Sequence, residues 1–167
     1  MFGRRTSFWV ALAIILVTAV SVALVLLRMT RIPFMIVDVL GVRNSLVHWA
    51  GWAGAITVLV VTASYVHRKR VLRAPSAGTL RLHAFGNLLG FLLISIHFSH
   101  EITRPPANYP DLGTGVVQYA AMIMLVSTGF TAFFAVRPAW ASYYRFLHPA
   151  AALTLLMTIV LHIIHDL

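Results

Sequence analysis

Long apolar segments separated by short polar ones make up most of this chain of 167 residues. Five of them, at residues 8–27, 45–66, 79–100, 116–136 and 145–164, are each about 20 residues long, which is the length an α-helix needs to cross a bilayer. Polar segments that contain proline or glycine separate several of them. The pattern predicts an all-α integral membrane protein whose five transmembrane helices form one domain.

The connecting segments carry further information. Residues 28–44 contain the apolar piece IPFMIVDVLG, which is too short to span, so we expect it to lie at the membrane interface or to dip in. Residues 101–115 contain three prolines and two glycines, which predicts an ordered but non-helical loop. The first apolar segment resembles a signal peptide. However, its length, and Arg28 directly after it, favour an anchor or packing helix.

Composition excludes several classes of protein. The chain is 60% hydrophobic and only 10% charged, which is not the composition of a soluble domain. It contains no cysteine, so disulfides, iron–sulfur clusters, thiolate zinc sites and covalent haem attachment are excluded. No glycine-rich nucleotide loop follows a strand, so a nicotinamide or flavin cofactor is not expected in the usual manner. The net charge is +9, but the basic residues flank the apolar segments instead of forming a soluble basic face, so we do not expect nucleic-acid binding.

The distribution of charge predicts an orientation. With the N-terminus inside, nine of the thirteen Lys and Arg residues fall on inner segments, and all four acidic residues fall outside. Positive charge concentrates on the cytoplasmic side of membrane proteins. We therefore expect a multi-pass protein of the cell membrane, surrounded by lipid, with a cytoplasmic N-terminus and its C-terminus outside.

A repeated histidine spacing is the main functional indication. His83 and His97 lie fourteen residues apart in the third apolar segment, and His148 and His162 repeat that spacing 65 residues later in the fifth. Fourteen helical residues return to nearly the same face and rise by about 21 Å, most of a bilayer core. Since the third and fifth segments run in the same direction, we expect His83 to face His148, and His97 to face His162.

Each such pair can supply the two axial nitrogens of a b-type haem iron. Gly86, three residues after His83, leaves room for a haem ring, although small residues also serve plain helix packing. Arg81 and Arg145 precede the inner histidines and are suited to the haem propionates. The sequence therefore predicts two stacked haems, one near each side of the membrane.

The remaining histidines are less clearly assigned. His100 and His165 each lie three residues beyond a histidine of the outer pair. Either could replace that neighbour, His97 or His162, as a ligand, although an interfacial role is favoured. His48 and His67 lie at the ends of the second segment, where a hydrogen-bonding role is favoured.

The chain resembles a known family, the cytochrome b subunit of quinol–cytochrome c reductases. The resemblance covers residues 45–167 and is carried by Arg81, Leu82-His83-Ala84, Gly86, His97, the run STGFTAFFAVRPAW, Arg145-Phe146, His148 and His162. It implies a four-helix bundle of the second to fifth segments around two bis-histidine b haems, with residues 8–27 as a peripheral helix. The family's Pro-Glu-Trp-Tyr quinol loop and its histidine-free half have no counterpart in these residues. Ferric reductase and NADPH-oxidase membrane domains share the spacing and are a competing parent.

The function expected from these features is electron transport. The chain would be a dihaem subunit of a respiratory-type complex that carries electrons between a quinone pool and partner redox subunits, without being catalytic alone. Glu101, Tyr109 and Asp111 form a candidate outer quinol or docking site, and a plain connector is the alternative. Two other functions stay open. One is a stand-alone haem oxidoreductase acting on ferric iron, superoxide or quinone, and the other is a non-haem scaffold subunit whose histidines bind a metal or serve packing.

Overall fold

The computed structural model describes residues 4–30, 35–74, 76–104 and 112–166. Five of its helices are long and apolar enough to cross a membrane, which confirms the predicted helical fold class and the predicted number of candidate spans. The helices are α1 (Arg4–Leu26), α2 (Leu46–Arg70), α3 (Ala77–Ile102), α4 (Leu112–Phe134) and α5 (Ala141–Asp166), and the strands are β1 (Ile36–Val39) and β2 (Val42–Ser45).

These elements form two compact units. One unit runs from Trp9 to Thr103 and contains most of α1, both strands, α2 and α3. The other contains the start of α1 as far as Phe8, together with α4 and α5. The predicted four-helix bundle would combine helices of both units. The bundle and the single-domain organisation therefore stay predictions.

Glycines let α2 and α3 pack closely as an antiparallel pair. A Cβ atom on Gly54 would lie 2.9 Å from the carbonyl oxygen of Gly90, and one on Gly90 would lie 2.5 Å from Cγ2 of Val58. One on Gly86 would lie 2.6 Å from Cγ1 of Val61. Small residues at helix contacts are typical of membrane proteins, because there the backbones must approach closely. Gly86 therefore has a packing role against α2, the alternative that the sequence left open.

Serine hydroxyls begin both helices of this pair. Ser45 precedes α2, and its side chain accepts a hydrogen bond from the backbone N–H of His48 at 3.2 Å. Ser76 precedes α3 and accepts from the N–H of Thr79 at 3.0 Å. Each serine satisfies an N–H group that has no partner within the helix.

Buried hydroxyl groups of α1 and α3 line a cavity in the same unit. Thr18 of α1 has no exposed surface, and Ser95 and Ser99 of α3 are each 1% exposed. All three line one cavity between the two helices. The hydroxyls of Thr18 and Ser95 donate to the backbone carbonyls of Ile14 and Phe91 on their own helices, so their burial leaves no unsatisfied donor. Small hydroxyl side chains thus line part of the space between α1 and α3.

In the second unit, α4 and α5 are antiparallel. The amide of Gln118 donates to the carbonyl oxygen of Thr158 at 2.8 Å, and an aromatic cluster of Phe8, Phe130 and Phe134 packs with centroid distances of 4.9–5.3 Å. Pro149 lies inside α5, and the helix continues through it. A 3₁₀ turn, Pro138–Trp140, precedes α5.

Two connecting segments differ from expectation. An antiparallel hairpin begins in the piece expected at the interface, which holds β1, and continues beyond it into β2, with Leu40 and Gly41 both at positive φ, 54° and 83°, in the tight turn. The alternating valines on both sides of Leu40-Gly41 could have indicated this hairpin, but its two turn positions lack the Asn or Asp that is usual in such turns. The loop expected over residues 101–115 is shorter, because Glu101 belongs to α3 and α4 begins at Leu112.

Large apolar side chains cover the outer faces of the helices. On α1, Leu16, Val17 and Val20 are 55%, 58% and 57% exposed, and comparable residues occur on the other four helices. Water would make such a surface costly, whereas lipid chains would not. The chain is thus a candidate multi-pass membrane protein with lipid-compatible surfaces, and its orientation stays a prediction.

Candidate functional site

The four histidines of the repeated spacing lie within two unbroken helices. His83 and His97 belong to α3, and His148 and His162 belong to α5. The helical rise between the members of each pair is about 21 Å. Because α3 and α5 belong to different units, the pairing of His83 with His148 and of His97 with His162 stays a prediction.

Threonine hydroxyls of α4 hold both histidines of α5. Oγ1 of Thr128 lies 3.0 Å from Nδ1 of His148, and Oγ1 of Thr114 lies 3.0 Å from Nδ1 of His162. Thr128 donates its own hydrogen to the carbonyl of Met124 at 2.7 Å, so its oxygen is placed to accept from Nδ1–H of His148. That tautomer places the lone pair on Nε2, the nitrogen that a metal would take.

Gly129 gives the His148 ring its position against α4. A Cβ atom at Gly129 would lie 3.1 Å from Cε1 of His148, so the absence of a side chain lets the imidazole approach the α4 backbone. Together with the Thr128 hydroxyl, this contact limits rotation of the ring. A restrained imidazole with a defined tautomer is suited to ligation.

His83 has an aromatic neighbour and an amide neighbour. The ring of Tyr65 stacks on it with centroids 4.6 Å apart and an interplanar angle of 21°. Nδ2 of Asn87, one turn further along α3, lies 3.1 Å from Nδ1 of His83. Asn87 is itself contacted by the Thr62 hydroxyl of α2, at 3.4 Å. His83 is therefore positioned within the α2–α3 pair.

His97 lies among polar groups at the opposite end of the same pair. Its ring meets that of His48 edge to face, with centroids 4.9 Å apart and an angle of 71°, and its Nδ1 is shielded from solvent. One ligand atom each from His48, His97 and Glu101 lie within 4.8 Å of one another. Oε1 of Glu101 is 3.1 Å from Nδ1 of His100 and 3.7 Å from Nδ1 of His48. From the sequence, His48 was expected to have a hydrogen-bonding role at the end of the second apolar segment, and this group was not predicted.

The positions of the other predicted site residues add little to the functional assignment. Arg81 is half-buried on α3, whereas Arg145 is exposed and its Nε donates to the carbonyl of Ala141 at 3.4 Å. His67 is exposed in the last turn of α2. Tyr109, Asp111 and the side chain of His165 lie outside the described part of the chain.

Comparison of the chain with protein-family models, with curated proteins and with solved structures finds no match. The likeness to cytochrome b therefore stays an expectation from the motifs. A functional argument must rest on the histidines and on the groups that hold them.

Proposed function

We propose that this chain is a dihaem b-type cytochrome subunit that carries electrons across the membrane, between a quinone pool and partner redox subunits. The inner haem iron is assigned to His83 and His148, and the outer one to His97 and His162. The proposal joins the repeated fourteen-residue spacing to the way in which the structure holds the imidazoles.

The observation that supports the proposal most is the pair of threonine contacts on α5. At both His148 and His162, a hydroxyl of α4 lies 3.0 Å from Nδ1, so Nε2 would be the ring nitrogen offered to iron. Ligating histidines in proteins almost always have such a partner on their other ring nitrogen. Two helix-embedded histidines about 21 Å apart with the same partner type fit two cofactors better than they fit incidental packing.

Two helices that each carry two imidazoles offer the donor set that two bis-histidine b haems would need. A bound b haem supplies reversible one-electron exchange at its iron. Ligation of each iron by two imidazoles would favour electron transfer over oxygen binding. Arg81 and Arg145, at the ends of α3 and α5 that carry His83 and His148, supply positive charge for propionates.

The quinone role is assigned to the end of α3 that carries His97. Glu101 lies in the last turn of α3, four residues beyond His97, and its side chain is 16% exposed. A quinol that reached this end would lie close to the outer haem. Partner subunits would exchange electrons with the inner haem at the opposite end.

The test is a reduced-minus-oxidised visible spectrum of the purified chain, with the haem-to-protein ratio taken from the pyridine adduct. We expect two low-spin b haems per chain. We also expect one haem to be lost in each of the variants His83→Ala, His97→Ala, His148→Ala and His162→Ala. His67→Ala is the matched control and should retain both. A chain without haem after expression with adequate haem supply would refute the proposal.

Electron delivery separates the proposed subunit from a stand-alone oxidoreductase. The pure dihaem chain should be reduced by a quinol only slowly and should turn over no substrate until its co-purified partners are restored. Sustained quinone or ferric reduction by the isolated chain would instead assign the activity to this chain alone.

A further inference from the structure

We infer that the α2–α3 pair carries a separate site for a divalent transition ion such as Zn²⁺ or Fe²⁺, formed by His48, His97 and Glu101. One ligand atom from each lies within 4.8 Å of the other two. Two imidazoles and one carboxylate are a donor set that proteins use for zinc and for non-haem iron.

Local structure brings the three side chains together. His97 and Glu101 are four residues apart on α3 and therefore lie on one face, one turn apart. His48 lies in the first turn of α2, which runs antiparallel to α3. A Cβ atom at Gly51 would lie 2.8 Å from Cγ of His97, so glycine at this position lets the His97 ring lie against the backbone of α2.

Neighbouring polar groups orient two of the three ligands. Oγ of Ser45 lies 3.0 Å from Nδ1 of His48, and Nδ1 of His100 lies 3.1 Å from Oε1 of Glu101. Metal-binding imidazoles and carboxylates are usually held by such outer hydrogen bonds. These contacts restrict the side chains before an ion arrives, which lowers the entropic cost of binding.

The dimensions are close to those of a metal site. Bonds of about 2.0–2.2 Å in a tetrahedral site place ligand atoms about 3.4 Å apart. Separations within 4.8 Å can close to that value by small side-chain rotations. Three protein ligands leave one position for water or another small ligand. The group lies at the end of both helices, and His48 is 34% exposed, so an ion can reach it from the aqueous side.

The metal site does not rest on the proposed function, because it needs only α2 and α3. Both proposals use His97 and Glu101: His97 would ligate either the ion or the outer haem iron, so the ion and the outer haem exclude each other there, and Glu101 also lies at the proposed quinone end of α3. Replacing His162 removes the assigned outer-haem ligand on α5 and leaves the ion's three ligands intact. His162→Ala is therefore the background in which the ion is tested.

The experiment measures zinc in full-length His162→Ala protein, purified in detergent through a tag that contains no histidine. Bound zinc is determined by mass spectrometry after equilibrium dialysis against buffered Zn²⁺, and haem is determined on the same sample. We expect one zinc per chain. Adding His48→Ala or Glu101→Gln should weaken zinc affinity at least about tenfold, because even the loss of a hydrogen-bond partner of a ligand costs about 10–100-fold. The double variant His162→Ala/His67→Ala is the matched control and should bind zinc as the background does.

Folding of each variant is checked by its elution profile and helical circular dichroism, which do not depend on haem. A folded His162→Ala chain with less than about a tenth of a zinc per chain would overturn the inference, as would zinc binding unchanged by both ligand substitutions. A chain that binds zinc but never haem would support the metal site and refute the cytochrome. A chain that binds haem but no zinc would support the cytochrome and refute the metal site.

Discussion

The hydroxyl of Thr128 lies 3.0 Å from Nδ1 of His148 while donating its hydrogen to the carbonyl of Met124 at 2.7 Å. The same oxygen is therefore set to accept from the imidazole. These two hydrogen bonds connect the backbone of α4 to Nδ1 of His148, the ring nitrogen that the proposed haem iron would not use. Thr128 is only 7% exposed, so water cannot readily take its place.

Replacing Thr128 by Val should weaken binding of the proposed inner haem. Valine keeps the shape but removes the hydroxyl contact to Nδ1 of His148, and loss of such a contact costs about 10–100-fold in affinity. We expect lower haem occupancy and a shifted midpoint potential, measured by spectroelectrochemistry. Thr131→Val is the matched control, because that hydroxyl contacts only carbonyls of its own helix. Thr128→Ser should restore occupancy, and an unchanged haem in Thr128→Val would argue against ligation by His148.

The corresponding substitution at Thr114 should affect the other haem. Thr114 and Thr128 lie fourteen residues apart on α4, about 21 Å along the helix, so their effects should be independent. In spectra of Thr114→Val we expect the change in the component that is lost in His162→Ala. The double variant should show the sum of the two single changes. A single shared component that responds to both substitutions would contradict two separate haems.

The helical part of this fold is largely predictable from sequence, because segments of about 20 apolar residues have few alternatives in lipid. The β1–β2 hairpin was not predicted, because Leu40-Gly41 is an unusual sequence for a two-residue turn with two positive φ angles. Glu101 was assigned to a loop, because the prolines that follow obscured where α3 ends. The sequence thus predicted the five long helices, but not the two short strands or the exact end of α3.

The site was predictable only in part. The repeated spacing identifies four histidines, but it does not show what lies beside them. Residues at one level of a short antiparallel pair have position numbers with a nearly constant sum. His48 with His97 and Tyr65 with His83 follow that rule on α2 and α3. The spacing of Thr114 and Thr128, equal to that of His148 and His162, was a further indication that the sequence analysis missed.

Enlarging Gly54 should loosen the α2–α3 pair. A Cβ atom there would lie 2.8 Å from Cγ1 of Ile94 and 2.9 Å from the carbonyl oxygen of Gly90, and the second contact is with backbone. The helices must therefore move apart, which costs about 1–3 kcal/mol in a well-packed core. We expect Gly54→Ala to lower the detergent melting temperature. Gly113→Ala is the control, because a Cβ atom there meets nothing within 4 Å, and it should melt at or slightly above wild type.

Two serine caps provide a test that separates folding from metal binding. Ser45 and Ser76 each accept a backbone N–H at the start of a helix, so replacing either by Ala should cost about 1 kcal/mol of stability. Only Ser45 also contacts a proposed metal ligand, at 3.0 Å from Nδ1 of His48. In the His162→Ala background, both substitutions should therefore lower the melting temperature by similar amounts. Zinc affinity should fall in Ser45→Ala and stay unchanged in Ser76→Ala.

The expected difference follows from where the two hydroxyls point. Without Ser45, the His48 ring keeps its place on α2 but loses the contact that restrains its rotation. Binding of the ion must then also order the ring, and this entropic cost lowers zinc affinity. Isothermal titration with Zn²⁺ measures this as a loss of affinity at unchanged stoichiometry. Equal zinc affinity in the two variants would mean that Ser45 acts as a helix cap alone. Equal losses in both would mean that general loosening of the α2–α3 pair, and not the position of His48, controls zinc binding.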